Sequence, residues 1–130
     1  LQTTTVVTAL NTQEGFAENT ETTQDKIFLP CMENWYINPQ YAGEGDEWDY
    51  YKTLASEAGL AGMFQQYQTY DILKKYRVDN TTSAVSVWLR SCRRGYANVA
   101  WHVTSSGDVY YYSAYNAYRG CPACIIKKSA

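Results

Sequence analysis

The stretch "ANVAWHVTSSGDVYYYSAY", residues 97–115, decides the fold that the sequence predicts. Val99, Trp101 and Val103 stand at every second position, the spacing that places side chains on one face of a strand. The following "SSGD" is typical of a tight turn, because glycine lacks a Cβ and tolerates positive φ angles. A second run, "DVYYYSAY", continues the period of two after the turn. The stretch therefore predicts an antiparallel hairpin.

Further strands are predicted on both sides of this hairpin. Four runs have the β-branched, apolar or alternating composition of strands: "TTTVVTAL" at 3–10, "KIFLP" at 26–30, "AVSVWLRS" at 84–91 and "PACIIKK" at 122–128. The polar segments at 11–25 and 38–48 are interpreted as loops. The C-terminal half of the chain is therefore predicted to be an antiparallel meander.

Two helices are predicted between the N-terminal strands and the meander. In "EWDYYKTLASEAG", residues 47–59, large and apolar side chains recur at three- and four-residue spacing, and Gly59 ends the segment. Either Asp46 or Asp49 can cap its start. A second helical pattern covers "GMFQQYQTYDILKKY", residues 62–76, whose two lysines suit a helix C-terminus.

Length and composition fit a single folded domain over residues 1–130. Hydrophobic residues make up 45 % and charged residues 18 % of the chain, which favours a globular fold over disorder. With helices first and strands after them, the predicted fold class is α+β, with two helices packed on an antiparallel sheet. No run approaches the roughly 20 apolar residues of a membrane span, so membrane insertion is not expected.

Charge is divided unevenly along the chain. Residues 1–60 carry ten acids and two bases, a balance of −8, whereas the remainder carries three acids and nine bases, a balance of +6. The bases are dispersed and do not form a continuous run, so nucleic acid is not an expected partner.

The sequence contains no recognisable catalytic constellation. His102 is the only histidine, and no nucleophile, phosphate-binding or zinc-protease motif is present, so a non-enzymatic protein without cofactor or metal is expected. Cys121 and Cys124 have the CxxC spacing of zinc knuckles and redox dithiols, but Cys31 and Cys92 are single and distant. The cysteines are interpreted as core or disulfide residues, with metal binding and redox chemistry as alternatives.

Tyrosine is concentrated at the end of the predicted hairpin. The chain has 13 tyrosines, and the run "YYYSAYNAY" at 110–118 separates five of them only by small or polar residues. A tyrosine ring offers a large amphipathic contact area with only two side-chain torsions to freeze, as in antibody paratopes. Because alternate strand residues face opposite sides, one core cannot bury Tyr110, Tyr111 and Tyr112 alike. A contact surface is therefore predicted, with a tyrosine-rich sheet packed under the helices as the alternative.

Three motifs carry a family resemblance. They are "DKIFLPC" at 25–31, "WLRS" at 88–91 followed by the "AWxVxSSGxV" hairpin, and "RGCPA" at 119–123. The chain is similar in these motifs to the variable proteins of diversity-generating retroelements, bacterial and phage domains with a C-type-lectin-like fold related to that of formylglycine-generating enzymes. The resemblance covers the last 45 residues well, the first 30 moderately and the helical middle poorly.

In that family, adenine-directed mutagenesis rewrites codons near the C-terminus. The resemblance implies a variable region at 93–118 within a binding face of C-terminal strands and loops. It implies a fixed scaffold that includes Trp101, Val103, Gly107 and Val109. The implied ligand-binding residues are Tyr96, Asn98, His102, Asp108, Tyr110, Tyr111, Tyr112, Ser113, Tyr115, Asn116 and Tyr118.

The resemblance also implies a partner and a location. The expected partner is a protein or cell-surface ligand, and the expected location is a phage virion or a bacterial cell surface. One departure is Cys121, which stands where the family pattern usually has valine or arginine. The alternatives are an oxidoreductase or metal-binding domain of the formylglycine-generating type that uses Cys121 and Cys124, or a structural surface or virion module.

Overall fold

The tyrosine-rich hairpin is part of a four-stranded sheet. The computed structural model describes residues 1–10, 20–96 and 98–126. In chain order, the elements are β1 (Thr4–Ala9), β2 (Thr20–Asp25), a 3-10 helix (Glu33–Trp35), α1 (Asp49–Glu57), a second 3-10 helix (Asp71–Leu73), β3 (Lys75–Arg77), β4 (Asn80–Val85), β5 (Val87–Cys92), β6 (Val99–Val103), β7 (Val109–Ser113) and β8 (Arg119–Gly120). The chain is a small α+β domain, mostly strands in several sheets, with one α-helix in the described ranges.

The four strands of the main sheet lie in the order β7-β6-β5-β8. Strands β5, β6 and β7 pair antiparallel, whereas β8 pairs parallel with β5. In the hairpin, His102 lies opposite Tyr110, and Trp101 lies opposite Tyr111. The predicted hairpin is confirmed, and β7 is an edge strand of this sheet.

The hairpin turn requires glycine for two reasons. Gly107 has a φ of 89°, in the left-handed region, and its N–H donates to the carbonyl of Thr104 at 2.9 Å. A Cβ at this position would also collide with the backbone carbonyl of Tyr70. Because Gly107 has no side chain, it can adopt the backbone conformation of the turn and also lie close to the loop that contains Tyr70.

Two separate hairpins complete the strands. β1 pairs antiparallel with β2, and β3 pairs antiparallel with β4. The interpretation of 11–25 as a loop is wrong for Thr20–Asp25, which is strand β2, while residues 11–19 lie outside the described part. β2 has the polar sequence "TETTQD" and is exposed along almost its whole length. The alternation of apolar and polar residues that would predict a strand is therefore absent from it.

Two predicted strands are reduced to isolated bridges. In the run at 26–30, only Phe28 pairs, with Ala123, and Gln2 pairs with Ile125. The run at 122–128 therefore contributes two isolated bridges, and its last two residues are among those the structure does not describe.

The first predicted helix is confirmed. α1 ends at Glu57, and Gly59 follows with a φ of 80°, as expected of a residue just beyond a helix C-terminus. Its N-cap is Trp48, which makes no side-chain capping bond, so neither predicted aspartate caps the helix. Asp49 instead occupies the first turn, where its charge suits the helix dipole.

The second predicted helix, residues 62–76, is wrong. Only Asp71–Leu73 is helical, as a single 3-10 turn, and Lys75–Arg77 is a strand. Phe64 forms a parallel bridge with Ile37, and Tyr67 has a φ of 64°, which interrupts any α-helix. Backbone pairing with other parts of the domain thus overrides the local helical pattern.

The core is aromatic as well as aliphatic. Trp35, Phe64, Leu73 and Trp101 are fully buried in one cluster, and Trp35 stacks on Tyr51 with ring centroids 5.4 Å apart. None of the helices in the described part of the chain has the length and apolar character that crossing a membrane requires.

Arg90 connects the N-terminal hairpin to the main sheet. Its guanidinium donates to the carbonyl of Val7 at 3.1 and 3.3 Å, to that of Leu29 at 2.5 Å and to that of Glu44 at 2.6 Å. The Glu44 side chain is buried and accepts hydrogen bonds from the N–H of Ala9 and the hydroxyl of Ser91. These bonds hold β1 against β5.

Candidate functional site

Seven tyrosines lie on or beside the edge strand β7, and we call them the tyrosine surface: Tyr67, Tyr96, Tyr110, Tyr111, Tyr112, Tyr115 and Tyr118. Four of them are substantially exposed, with relative accessibilities of 48 % for Tyr96, 42 % for Tyr110, 48 % for Tyr112 and 84 % for Tyr115. Tyr67 is also exposed, while Tyr111 and Tyr118 are partly buried. The tyrosines therefore form a surface and not a core.

A loop secures the beginning of the edge strand. The N–H of Tyr67 donates to the carbonyl of Val109 at 2.8 Å, and the N–H of Val109 donates to the carbonyl of Gln68 at 2.9 Å. The N–H of Tyr70 reaches the carbonyl of Gly107 at 2.9 Å. These bonds tie Gly107 and Val109, at the start of β7, to the loop of residues 67–70, so the tyrosines that follow belong to a strand whose start is fixed.

The first cluster of rings is centred on Tyr111. Tyr110 stacks on Tyr111 with centroids 4.7 Å apart and planes 13° from parallel, and Tyr67 meets Tyr110 edge-on at 5.4 Å. The Arg93 guanidinium lies 3.6 Å from the centroid of Tyr111 and 4.1 Å from that of Tyr96. Stacking and cation–π contacts thus connect four rings and restrict their motion before any ligand binds.

The second cluster is centred on His102. Its ring stacks on Tyr118 at 5.1 Å, and Trp88 lies 5.1 Å from Tyr118 and 5.4 Å from His102. Tyr112 lies 6.0 Å from Tyr118. Tyr118 therefore packs against both Trp88 and His102, and Tyr112 packs against His102 and Tyr118.

The imidazole of His102 is buried beneath this cluster. His102 is only 2 % exposed, and burial lowers its pKa, which favours the neutral form of the ring at neutral pH. Its Nδ1 atom has no hydrogen-bond partner within the described residues. Of the residues expected to bind ligand, His102 is the one that the structure places inside, under Tyr118.

The polar residues of the expected site are divided between the two ends of β7. At the far end, the N–H of Ala114 donates to the carbonyl of Asn98 at 2.8 Å, and the Asn116 side chain donates to the carbonyl of Ser113 at 2.9 Å. These bonds order the loop that carries Tyr115. Asp108, at the turn end, accepts a hydrogen bond from the hydroxyl of Thr69 and is partly buried.

Sequence reasoning missed Tyr67. It was placed in the second predicted helix, and its ring instead contacts Tyr110, Tyr111 and Trp101. Its positive φ and its pairing with Val109 are tertiary features, so no local signal in the sequence indicated this position. Arg93 is not among the residues expected to bind ligand, and the structure places its guanidinium against both Tyr96 and Tyr111.

The four cysteines are free thiols. Cys31 is buried, Cys92 and Cys121 are partly buried, and Cys124 is exposed. Burial raises the pKa of Cys31 to about 11, so this thiol stays protonated at neutral pH. Within the described ranges, no three histidine, cysteine or acidic residues come close enough together to hold a metal ion.

The fold and the site define a class: a small α+β domain that presents clustered tyrosines from an edge strand. The chain belongs to the family described as Domain of unknown function (DUF6273), whose family model matches residues 1–128. No curated protein and no solved structure matches the chain.

Proposed function

We propose that this protein is a non-enzymatic ligand-binding domain that presents the tyrosine surface to a protein or cell-surface molecule. The observation that carries this proposal is the exposure of Tyr96, Tyr110, Tyr112 and Tyr115 on one hairpin and its adjoining loops. Exposed aromatic rings are costly to leave in water and are enriched in the centres of protein interfaces.

The arrangement of the rings favours binding in a second way. Tyr110 is stacked on Tyr111, and Tyr112 is supported by the cluster around His102, so part of their rotational freedom is already lost in the free protein. A ligand that covers these rings therefore pays less side-chain entropy than it would on flexible side chains. Phenol hydroxyls at the edges of such rings can form hydrogen bonds of adjustable geometry with a ligand.

We further propose that the domain has a C-type-lectin-like fold and that residues 93–118 are diversified by adenine-directed mutagenesis. In support, Trp101, Val103 and Val109 are fully buried and hold the sheet, whereas Tyr110, Tyr112 and Tyr115, which follow them in the chain, are exposed. The surface residues can thus change without loss of core packing. In this proposal His102 has a supporting role, because Tyr118 covers it.

Sequencing tests the diversification directly. Deep sequencing of this locus from one source should find substitutions at adenine-containing codons, concentrated within residues 93–118. Substitutions spread evenly over the chain, or an invariant locus in repeated samples from active populations, would contradict the retroelement mechanism.

A displayed library tests the binding role. Tyr96, Tyr110, Tyr112 and Tyr115 would each be varied among Tyr, Asn, Asp and Ser on a phage-displayed domain and selected on immobilised lysozyme as a defined protein probe. A control library would vary four exposed residues of the β3–β4 hairpin: Tyr76, Val78, Asn80 and Thr82. Binders should come from the first library only. Equal recovery from both libraries would show that the tyrosine surface has no special capacity.

A further inference from the structure

We propose that a pocket between the β3–β4 hairpin and β8 binds the anionic oxygen atoms of a small ligand that carries a carboxylate or a phosphate group. The pocket goes beyond the proposed function, because it is almost separate from the tyrosine surface. Of the seven residues of that surface, only Tyr118 lines the pocket. Its occupancy can therefore be measured independently of any ligand of the tyrosine surface.

The pocket is formed where β4 passes directly into β5. Lys75 pairs with Val85 before the junction, and Arg119 pairs with Val87 after it. The N–H of Arg119 donates to the carbonyl of Ser86, between the two strands, at 3.1 Å. Lys75 and Arg119 are thus fixed by the backbone on the two sides of one junction. The cavity that they border has a volume of about 600 Å³, which is within the range of small-ligand sites.

Lys75 is the reason to expect an anion. Its ammonium group lies 4.6 Å from the ring centroid of Trp35 and 4.7 Å from that of Tyr51, and it donates to the Tyr51 hydroxyl at 2.7 Å. It forms no ion pair with any acid in the described part of the chain. Burial lowers the pKa of Lys75, which reflects the cost of a desolvated cation without a counter-charge. An anion in the pocket would offset that cost.

Two arginines add to the positive charge. Arg119 is exposed at the mouth of the pocket and has no ion pair among the described residues. Arg77 also lines the pocket but is already paired with Asp79 at 2.6 Å. With three bases and one acid, the lining carries a balance of +2. Guanidinium groups bind carboxylates and phosphates in a two-point geometry, which makes Arg119 the second anchor for the ligand.

The remaining walls suit a ligand with an apolar or ring-shaped body. Val85, Val87 and the ring of Tyr118 line the same cavity, beside the partly buried thiol of Cys121. Sugar acids and sugar phosphates combine an anionic group with such a body. The carboxylate and phosphate forms share the recognition chemistry described here, so they are separated by experiment.

The test is a titration of the ¹⁵N-labelled domain, followed by NMR, with inorganic phosphate, glucuronate and glucose in parallel. Phosphate or glucuronate should bind with a Kd on the order of 1 mM or tighter and shift the amide signals of Val87, Arg119 and Gly120. Glucose lacks the charge and should leave these signals in place. The stronger of the two anions identifies the preferred group.

Variants distinguish anion binding in the pocket from nonspecific attraction of anions to basic residues. Lys75→Met keeps a long apolar side chain over Trp35 and should weaken anion binding about tenfold, and Arg119→Gln should weaken it about threefold or more. Lys74→Gln is the matched control, because Lys74 is adjacent in sequence but paired with Asp71 at 2.8 Å. It should bind as the wild type does. If Lys75→Met fails to fold, the exposed Arg119 variant still decides the question.

Three results would overturn the proposal. They are the absence of localised shifts with either anion, equal weakening by Lys74→Gln and Arg119→Gln, and shifts that spread over all basic residues. Tyr110→Ala should leave anion binding unchanged. The tyrosine surface can therefore fail its own tests while the pocket binds anions. Equally, the pocket can fail to bind anions while the tyrosine surface passes its tests.

Discussion

Tyr110 stacks on Tyr111 with ring centroids 4.7 Å apart, although the two residues are consecutive in strand β7. Consecutive strand residues begin on opposite faces of a sheet, so these rings can meet only by folding around the strand edge. β7 is the edge strand of its sheet, which leaves room for this contact. The aromatic surface is therefore continuous around the edge of β7 and is not confined to one face.

Loss of an exposed ring should leave the fold stable. Tyr115→Ala should change the free energy of unfolding by less than about 0.5 kcal/mol, since Tyr115 is 84 % exposed. Trp101→Ala, the buried control, should cost about 3–5 kcal/mol, because it leaves a large cavity. Urea denaturation followed by circular dichroism measures both. A loss of several kcal/mol in Tyr115→Ala would make the ring a structural element and not a contact residue.

Gly107→Ala should destabilise the hairpin. The φ of 89° disfavours any L side chain, and the new Cβ would press on the Tyr70 carbonyl, so a loss of at least about 1–2 kcal/mol is expected. Gly62→Ala is the matched control, because nothing lies within 4 Å of the position of its Cβ. Equal unfolding midpoints for the two variants in urea would argue against this turn geometry.

Stability should fall as the solution becomes acidic, through His102. Burial lowers the pKa of His102 below its usual 6.5 in the folded protein, whereas the unfolded chain binds a proton near that value. The stabilisation is complete above pH 6.5 and is lost as the pH falls towards the folded-state pKa, with a slope of at most about 1.4 kcal/mol per pH unit.

The control for this pH dependence is His102→Phe, which fills the same aromatic cluster without a titratable group. Its unfolding free energy should lack the decline that His102 causes in the wild type between pH 7.5 and about 5.5, above the range of most carboxylates. A parallel decline of wild type and variant would assign the effect to other groups. His102 is the only histidine in the chain, so the comparison is not confounded by another imidazole.

Arg90→Lys should weaken the attachment of the N-terminal hairpin. A lysine cannot reproduce the planar set of bonds to the carbonyls of Val7, Leu29 and Glu44, and a loss of about 2–4 kcal/mol is expected. Arg77→Lys, on the exposed β3–β4 hairpin, should be nearly neutral. Thermal melting and amide hydrogen exchange in β1 would measure the difference. Unchanged protection in β1 would remove Arg90 from this role.

The hairpin and α1 could be predicted from sequence because their signals are local. Alternating residues and Gly107 define β6, β7 and their turn, and Gly59 marks the end of α1. The segment around Phe64 and Tyr67 has an equally clear helical spacing, but its backbone pairs with Ile37 and Val109 instead. Pairing between distant residues cannot be read from a local period.

The same distinction applies to the candidate site. That some phenols of the run at 110–118 must face outward follows from the two-residue period of a strand alone. The burial of His102 and the contribution of Tyr67 depend on which segments cover β7, and these are distant in the chain. The basic pocket depends on the parallel pairing of β8 with β5, which no motif indicated.

The bridge between Gln2 and Ile125 brings the first and last segments of the described chain together, with the N–H of Gln2 donating to the carbonyl of Ile125 at 2.9 Å. Such a domain can be grafted into a surface loop of an unrelated carrier through two short connectors, since entry and exit points nearly coincide. Joining the ends and reopening the chain at an exposed turn would give a circular permutant that keeps the same sheet.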